Sequence, residues 1–233
     1  MNYPELYKLQ DKVFEALKGN YGSLYLTGGT ALSRFYLNHR YSDDLDFFVN
    51  SDPSFVAMLQ KIMGILNQSF NVLTDKLIQY ESFIRIWIES EGVEMQIEFV
   101  NDVPFRWNIS RKAGDIPVDN VANILANKLT ALASRDEPKD VYDVVTIAES
   151  YSFSWPDAFE KAMNKAIIAE PDIAMRLATF PPELIQTQRW LSDSFDLDKF
   201  KNNLQIVSDD FLLARDNSLG KGKTPITRAK PRF

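Results

Sequence analysis

Residues 24–48 read LYLTGGTALSRFYLNHRYSDDLDFF, and this stretch decides the fold. Its first part, SLYLTGG from Ser23, has the pattern of a short strand ending in a turn at Gly28 and Gly29. TALSRFYLNH follows, with Ala31, Leu32, Phe35 and Tyr36 at helical spacing. DLDFFV is then a second strand. Strand residues two apart share a face, so Asp44 and Asp46 project together while Leu45 and Phe47 turn the other way. Adjacent carboxylates repel unless a cation lies between them. A Gly-Gly turn before a helix lets backbone N–H groups approach a phosphate closely, and Thr30 adds a hydroxyl. A helix over 30–38 brings the chain back to the acids, so that phosphate grip and carboxylates meet on one edge. A Gly-Gly turn alone is usually only a turn, and Asp-x-Asp alone is usually a solvated strand face. Their order is what points to a site.

Working outward, residues 3–18 have the period of an amphipathic helix, and Asp52-Pro53 opens another in PSFVAMLQKIMGILNQSF. Three strand-like runs follow, NVLTDKLIQY, SFIRIWIES and GVEMQIEFV, with a turn at Glu89 to Gly92 between the last two. GVEMQIEFV alternates strictly: Val93, Met95, Ile97 and Phe99 form an apolar face, and Glu94, Gln96 and Glu98 a polar one. Pairing beside Asp-Leu-Asp would bring Glu98 or Gln96 to the acids. Three carboxylates on a sheet face make a magnesium site of the kind two-metal phosphoryl chemistry uses. From Asp119 onward the pattern is helical, through DNVANILANKLTALASR, KDVYDVVTIAES, SWPDAFEKAMNKAIIA, PPELIQTQRWL and LDKFKNNLQIVSDDFLLA. The expected class is α+β, with a sheet-bearing core over 1–118, a helical domain over 119–216 and a tail over 217–233. No internal repeat is present.

A second constellation lies in the helical half. The stripe Val121, Ile124, Leu125, Leu129 and Leu132 should face inward, and Lys128 falls on it. An inward lysine needs an anion, either an acid or a triphosphate; the alternative is a lysine snorkelling at the stripe margin. On the triphosphate reading, Lys128→Met would weaken nucleotide binding and leave stability unchanged or improved. In RDEPKDVYDVV, Pro138 suits a first helical turn. Asp140 and Asp143 share a helical face, which capping and solvation explain almost as well as catalysis.

Composition narrows the chemistry. The 233 residues include no cysteine and a single histidine, His39, so disulfides, thiolate zinc sites and His-cluster metal sites are excluded. A metal would be held by oxygen ligands, which points to magnesium, manganese or calcium. The N-terminal stretch has no signal-peptide core, and no run approaches a membrane span, so no membrane partner and a cytoplasmic location are expected. The net charge of -6 excludes a general nucleic-acid magnet. The tail NSLGKGKTPITRAKPRF, however, carries Lys221, Lys223, Arg228, Lys230 and Arg232 without an acid. It reads as a flexible basic terminus, solvated or contacting RNA. His39 and Ser42 read as loop residues near the acids, Arg34 and Arg40 as surface charges or phosphate contacts. The four tryptophans, Trp87, Trp107, Trp155 and Trp190, read as core or interface rather than base-stacking platforms.

Together, LTGGTALSRFYLNHRYSDDLDFF, the later acid in MQIEFV, and NKLTALASRDEPKDVYDVV resemble the signature set of the AbiEii/AbiGii-type nucleotidyltransferases, within the DNA polymerase beta-like superfamily. The Arg-x-Ser-x-Asp-x-Asp run from Arg40 to Asp46 and the Lys-x-x-Ala-x-x-x-Arg-x-x-x-Lys-Asp-x-x-Asp run from Lys128 to Asp143 carry the likeness. The resemblance implies a nucleotidyltransferase-type mixed sheet with flanking helices, followed by a C-terminal helical bundle. It implies Mg2+ or Mn2+, an NTP substrate, and transfer of a nucleoside monophosphate to an acceptor hydroxyl. In that scheme Gly29 and Thr30 hold nucleotide phosphates, with Gly28 shaping the turn. Asp44 and Asp46 ligate the metal, Lys128 contacts the triphosphate and Asp140 is an active-site acid. Glu98 stands where such families often have aspartate, and so reads as a metal ligand, a base, or neither. The family supplies toxins of abortive-infection and toxin–antitoxin systems, and related members modify RNA, notably tRNA ends. An RNA acceptor and a gene-neighbour antitoxin are therefore the implied partners. The alternatives are a small-molecule or protein acceptor, or a non-catalytic nucleotide-binding or antitoxin-like module, against which the intact motifs speak.

Overall fold

The computed structural model describes residues 2–108, 110–191 and 195–232. Eight strands form one mixed sheet: β1 (Tyr25–Thr27), β2 (Leu45–Asn50), β3 (Asn71–Val72), β4 (Ile78–Gln79), β5 (Phe83–Ser90), β6 (Val93–Asp102), β7 (Arg111–Ala113) and β8 (Ile116–Val118). The order is β3-β5-β6-β2-β1-β8-β7, with β4 also pairing β5. β2 runs parallel to β6 and antiparallel to β1, while β8 lies parallel to β1. The strict alternation of β2 and β6 now has a cause. Leu45, Phe47, Met95, Ile97 and Phe99 are all buried on one face, and the Phe47 and Phe99 rings stack at 5.7 Å. The same period puts Asp46, Gln96 and Glu98 on the other face.

Helices α1 (Tyr3–Leu17) and α3 (Phe55–Ser69) cover the apolar face with Leu6, Leu9, Val13, Leu59, Ile62 and Leu66. α2 (Gly28–Leu32) widens into a π turn over Ser33–Leu37, closed by Asn38 N–H donating to Ser33 O, with Asn38 left-handed at φ 49°. The helical half holds α4 (Val121–Ser134), α5 (Pro138–Ser150), α6 (Trp155–Met163), α7 (Glu170–Thr179), α8 (Glu183–Gln186) and α9 (Leu197–Leu212). Asn120 caps α4 by accepting from the Asn123 N–H at 3.1 Å. This is the expected α+β class with a mixed sheet and following helices.

Several local readings change. The helix after the glycine pair begins at Gly28 itself, not at Thr30. NVLTDKLIQY is not one strand but two short ones around a 3-10 turn at Thr74–Lys76. The β7–β8 hairpin lies where the sequence showed only a boundary; three residues per strand are too few for a period. α7 was likewise not resolved from AIIAEPDIAMRLATF. Residues 217–232, read as a flexible tail, pack onto the body. Ile226 and Ala229 are buried, Asn217 Nδ2 donates to Ala148 O and Tyr151 O, and Arg232 N–H donates to Phe35 O at 2.6 Å. A few apolar residues and backbone donors suffice because the groove is supplied by α4, the end of α5 and the π turn. Lys221, Lys223, Arg228, Lys230 and Arg232 remain exposed. Phe233 lies outside the described residues.

Candidate active site

The glycine pair and the acid pair are in direct contact. Gly28 is left-handed at φ 70°, and a side chain there would run into the Asp46 carboxylate. A Cβ on Gly29 would run into the Arg40 guanidinium and would lie 2.9 Å from Ser42 Oγ. The glycines thus allow an acid and a base to close over the backbone, a role distinct from the expected phosphate approach. Thr30 is buried and donates its hydroxyl to Asp44 O at 2.5 Å. It fixes the chain that carries the acids, and the hydroxyl is already used. Its expected contact with phosphate is not what the geometry favours.

Asp44 and Asp46 line a cavity of about 660 Å3 that also takes in Gly28, Gly29, Glu98 and Lys128. Glu98 is paired across the strands with Asp46. It is already held by Arg85, with Nε at 2.8 Å and Nη2 at 2.7 Å from its Oε1, and by Gln96 Nε2 at 2.9 Å. Removal from water, together with the charges of Asp44 and Glu98, pushes the Asp46 carboxyl well above the usual carboxylate range. That surplus negative charge fits a divalent cation, and carboxylate oxygens are the donors magnesium prefers. Asp44 and Asp46 fit that role. Glu98 has one oxygen engaged, since Arg85 and Gln96 both hold Oε1, and only Oε2 is left to face a cation. Among the described residues no three acid or imidazole groups form a ready-made metal cluster.

On the facing helices, Lys128 is buried, and its Nζ lies 2.7 Å from Asp140 Oδ1 and 2.6 Å from Asp143 Oδ2. Its anion is therefore a pair of acids. Asp143 also takes a two-point grip from Arg40, Nε at 2.6 Å and Nη2 at 2.8 Å, and a contact from His39 Nε2 at 2.8 Å. Asp140 takes Arg135 Nε at 2.7 Å and Nη2 at 3.1 Å. Burial alone would raise the Asp143 carboxyl, but the charges of Arg40 and Lys128 overturn this and hold it well below the ordinary range. Burial lowers the His39 imidazole more than Asp143 raises it. The ring is then neutral, with Nε2–H donating to Asp143. Its Nδ1 has no partner among the described residues, so a second ring proton would be an unsatisfied buried donor.

The network corrects several expectations. His39 lies in a loop as expected but is buried, and Arg40 is not a surface charge: both are buried, and they tie the segment before the acids to α5 across a sequence gap of more than a hundred residues. Asp143, the hub, shares a helical face with Asp140 as spacing suggested, but its buried partners could not be read from spacing. Arg34 turns from the cavity to Asp11 and Gln10 on α1. Arg85 gave no signal, because an arginine on the alternating polar face of a strand looks solvated. Trp155 and Trp190 are buried, whereas Trp107 is 41% exposed under Lys161.

The family model described as "Nucleotidyl transferase AbiEii toxin, Type IV TA system" matches residues 16–217. The fold is similar to that of JHP933 from Helicobacter pylori, with a TM-score of 0.60 at 18% identity, covering 91% of this chain and 92% of that one. It is also similar to MenT4, a nucleotidyltransferase toxin from Mycobacterium tuberculosis H37Rv, with a TM-score of 0.51 at 14% identity, covering 94% of this chain and 86% of that one. Comparison with curated proteins gives no match.

Proposed function

Because the chain belongs to the AbiEii nucleotidyl transferase toxin family, matched over residues 16–217, we propose that it transfers a nucleoside monophosphate from an NTP to an RNA hydroxyl. The observation that carries this reading is the meeting of Asp44 and Asp46 with the Gly28–Gly29 turn in one cavity. Asp44 and Asp46 would hold a divalent cation, which when bound neutralises phosphate charge and polarises the α-phosphate. The acceptor hydroxyl oxygen bonds to the α-phosphorus, the bond to the bridging oxygen breaks, pyrophosphate leaves, and the hydroxyl proton passes to water. No covalent protein intermediate is needed, so positioning and charge carry the catalysis. Thr30 and the His39–Arg40–Asp143 contacts hold the acid-bearing segment. Lys128, Asp140 and Arg135 hold the opposite wall.

An RNA acceptor is supported by the exposed cations Lys221, Lys223 and Lys230 on an otherwise acidic chain. The family description also makes an antitoxin the proposed partner. No helix among the described residues is long and apolar enough to cross a membrane. The test incubates wild-type protein and Asp44→Asn with each α-labelled NTP, magnesium and either total RNA or cell lysate. Label in the RNA fraction, absent with Asp44→Asn, supports the reading. Label confined to protein or small molecules replaces the acceptor class, and label formed equally by Asp44→Asn rejects the site.

A further inference from the structure

The cations lining the cavity differ in how far their charge is committed. Arg85 is paired with Glu98, Lys165 with Asp102 at 2.9 Å, and Arg40 with Asp143. Arg135 lies on Asp140, and Lys128 is enclosed by two buried acids. Lys139 also lines the cavity, half-buried in the first turn of α5, and makes no ion pair or side-chain hydrogen bond among the described residues. We propose that Lys139, not Lys128, is the lysine that binds the triphosphate of the incoming nucleotide. This rests on the reading of the cavity as a nucleotide site.

Two considerations separate the lysines. Drawing the Lys128 ammonium to a phosphate would break two buried contacts, to Asp140 and Asp143, even though Arg135 and Arg40 would still hold those acids. Lys139 loses only solvent. A lysine is a compact point charge suited to phosphate oxygens, and Lys139 lines the same cavity as Asp44 and Asp46. A phosphate chain bridging from a cation at Asp44 and Asp46 toward α5 would meet Lys139 as its uncommitted positive partner. Its place beside Asp140 follows from helical geometry: consecutive residues diverge, so Asp140 turns to Lys128 while Lys139 faces the cavity.

Calorimetric titration of the full chain with the four ribonucleoside triphosphates and their monophosphates, in magnesium, tests this. Lys139→Gln should lower the triphosphate-over-monophosphate affinity ratio by roughly ten- to a hundredfold, the range of one charge-assisted hydrogen bond. Monophosphate affinity should hold, and Lys139→Arg should recover most of the ratio. An unchanged ratio in Lys139→Gln overturns the assignment while leaving the nucleotide site standing. A change confined to magnesium dependence also overturns it, making Lys139 a counter-charge to Asp46. A wild-type protein without triphosphate preference overturns the nucleotide reading and this inference together.

Discussion

The Asp46 carboxylate fills the space that a side chain on Gly28 would need. The acid that sequence placed on a strand and the glycine it placed in a turn are thus one packing unit. Gly28→Ala should cost about 1–2 kcal/mol from the left-handed backbone alone, plus a clash with Asp46. In an Asp46→Ala background the clash disappears and only the backbone cost remains. Urea unfolding of the four proteins measures the coupling. Equal costs of Gly28→Ala in both backgrounds would show that the two residues do not share the space.

Lys128→Met separates the sequence reading from the structure. The triphosphate reading had stability unchanged or improved. The ammonium holds two buried acids, and although Arg40 and Arg135 keep each of them paired, loss of both contacts should destabilise the fold by about 1–3 kcal/mol. An unfolding midpoint equal to wild type would return Lys128 to a role at the margin.

Acid should weaken the protein in two stages. The folded His39 imidazole is held below its ordinary value, so its neutral form stabilises the fold above about pH 6.5. That contribution is lost as pH falls from there toward the folded value. The Asp143 carboxyl is depressed, so its contribution is complete above about pH 4 and lost below. Protonation of the raised Asp46 carboxyl works in the opposite direction, so the comparison is made in an Asp46→Asn background, where chemical unfolding across pH 3–8 should show stability falling from about pH 6.5 and the first stage flattened on adding His39→Asn. A first stage of equal slope in both proteins would assign it elsewhere.

The packing of residues 217–232 changes how the basic segment is tested. Deleting residues 218–233 should lower the melting temperature, because Ile226 and Ala229 leave the core. Lys221→Gln, Lys223→Gln and Lys230→Gln together alter exposed positions only. They should leave melting unchanged, and flatten the salt dependence of RNA binding if phosphates are contacted. Unchanged melting on deletion would contradict the docked segment, and identical salt slopes would remove it from the RNA surface.

Local patterns made part of this molecule legible. The alternation of GVEMQIEFV fixed which faces of β6 are buried, and the spacing of Lys128 put it on the inward stripe of α4 but left a snorkelling lysine open, where the structure has it buried. The partners of Lys128, and the burial of His39 and Arg40, depend on helices meeting a loop far away in the chain, and no period encodes that. Glu98 shows the same limit: its strand face was legible, but that Arg85 on the antiparallel neighbour takes up one of its oxygens was not. The β7–β8 hairpin is too short to show alternation, and its place beside β1 is set by tertiary pairing.

The account rests most directly on Asp46 carrying surplus negative charge that a divalent cation relieves. Thermal melts of wild type and Asp46→Asn in EDTA and in rising magnesium test this. Without metal, Asp46→Asn should melt at or above wild type, because the raised carboxyl is a destabilising charge near neutral pH. Magnesium should then raise the wild-type melting temperature with concentration, as binding to the folded state requires, and should leave Asp46→Asn nearly still. Equal magnesium responses in the two proteins, or none in wild type, would contradict it.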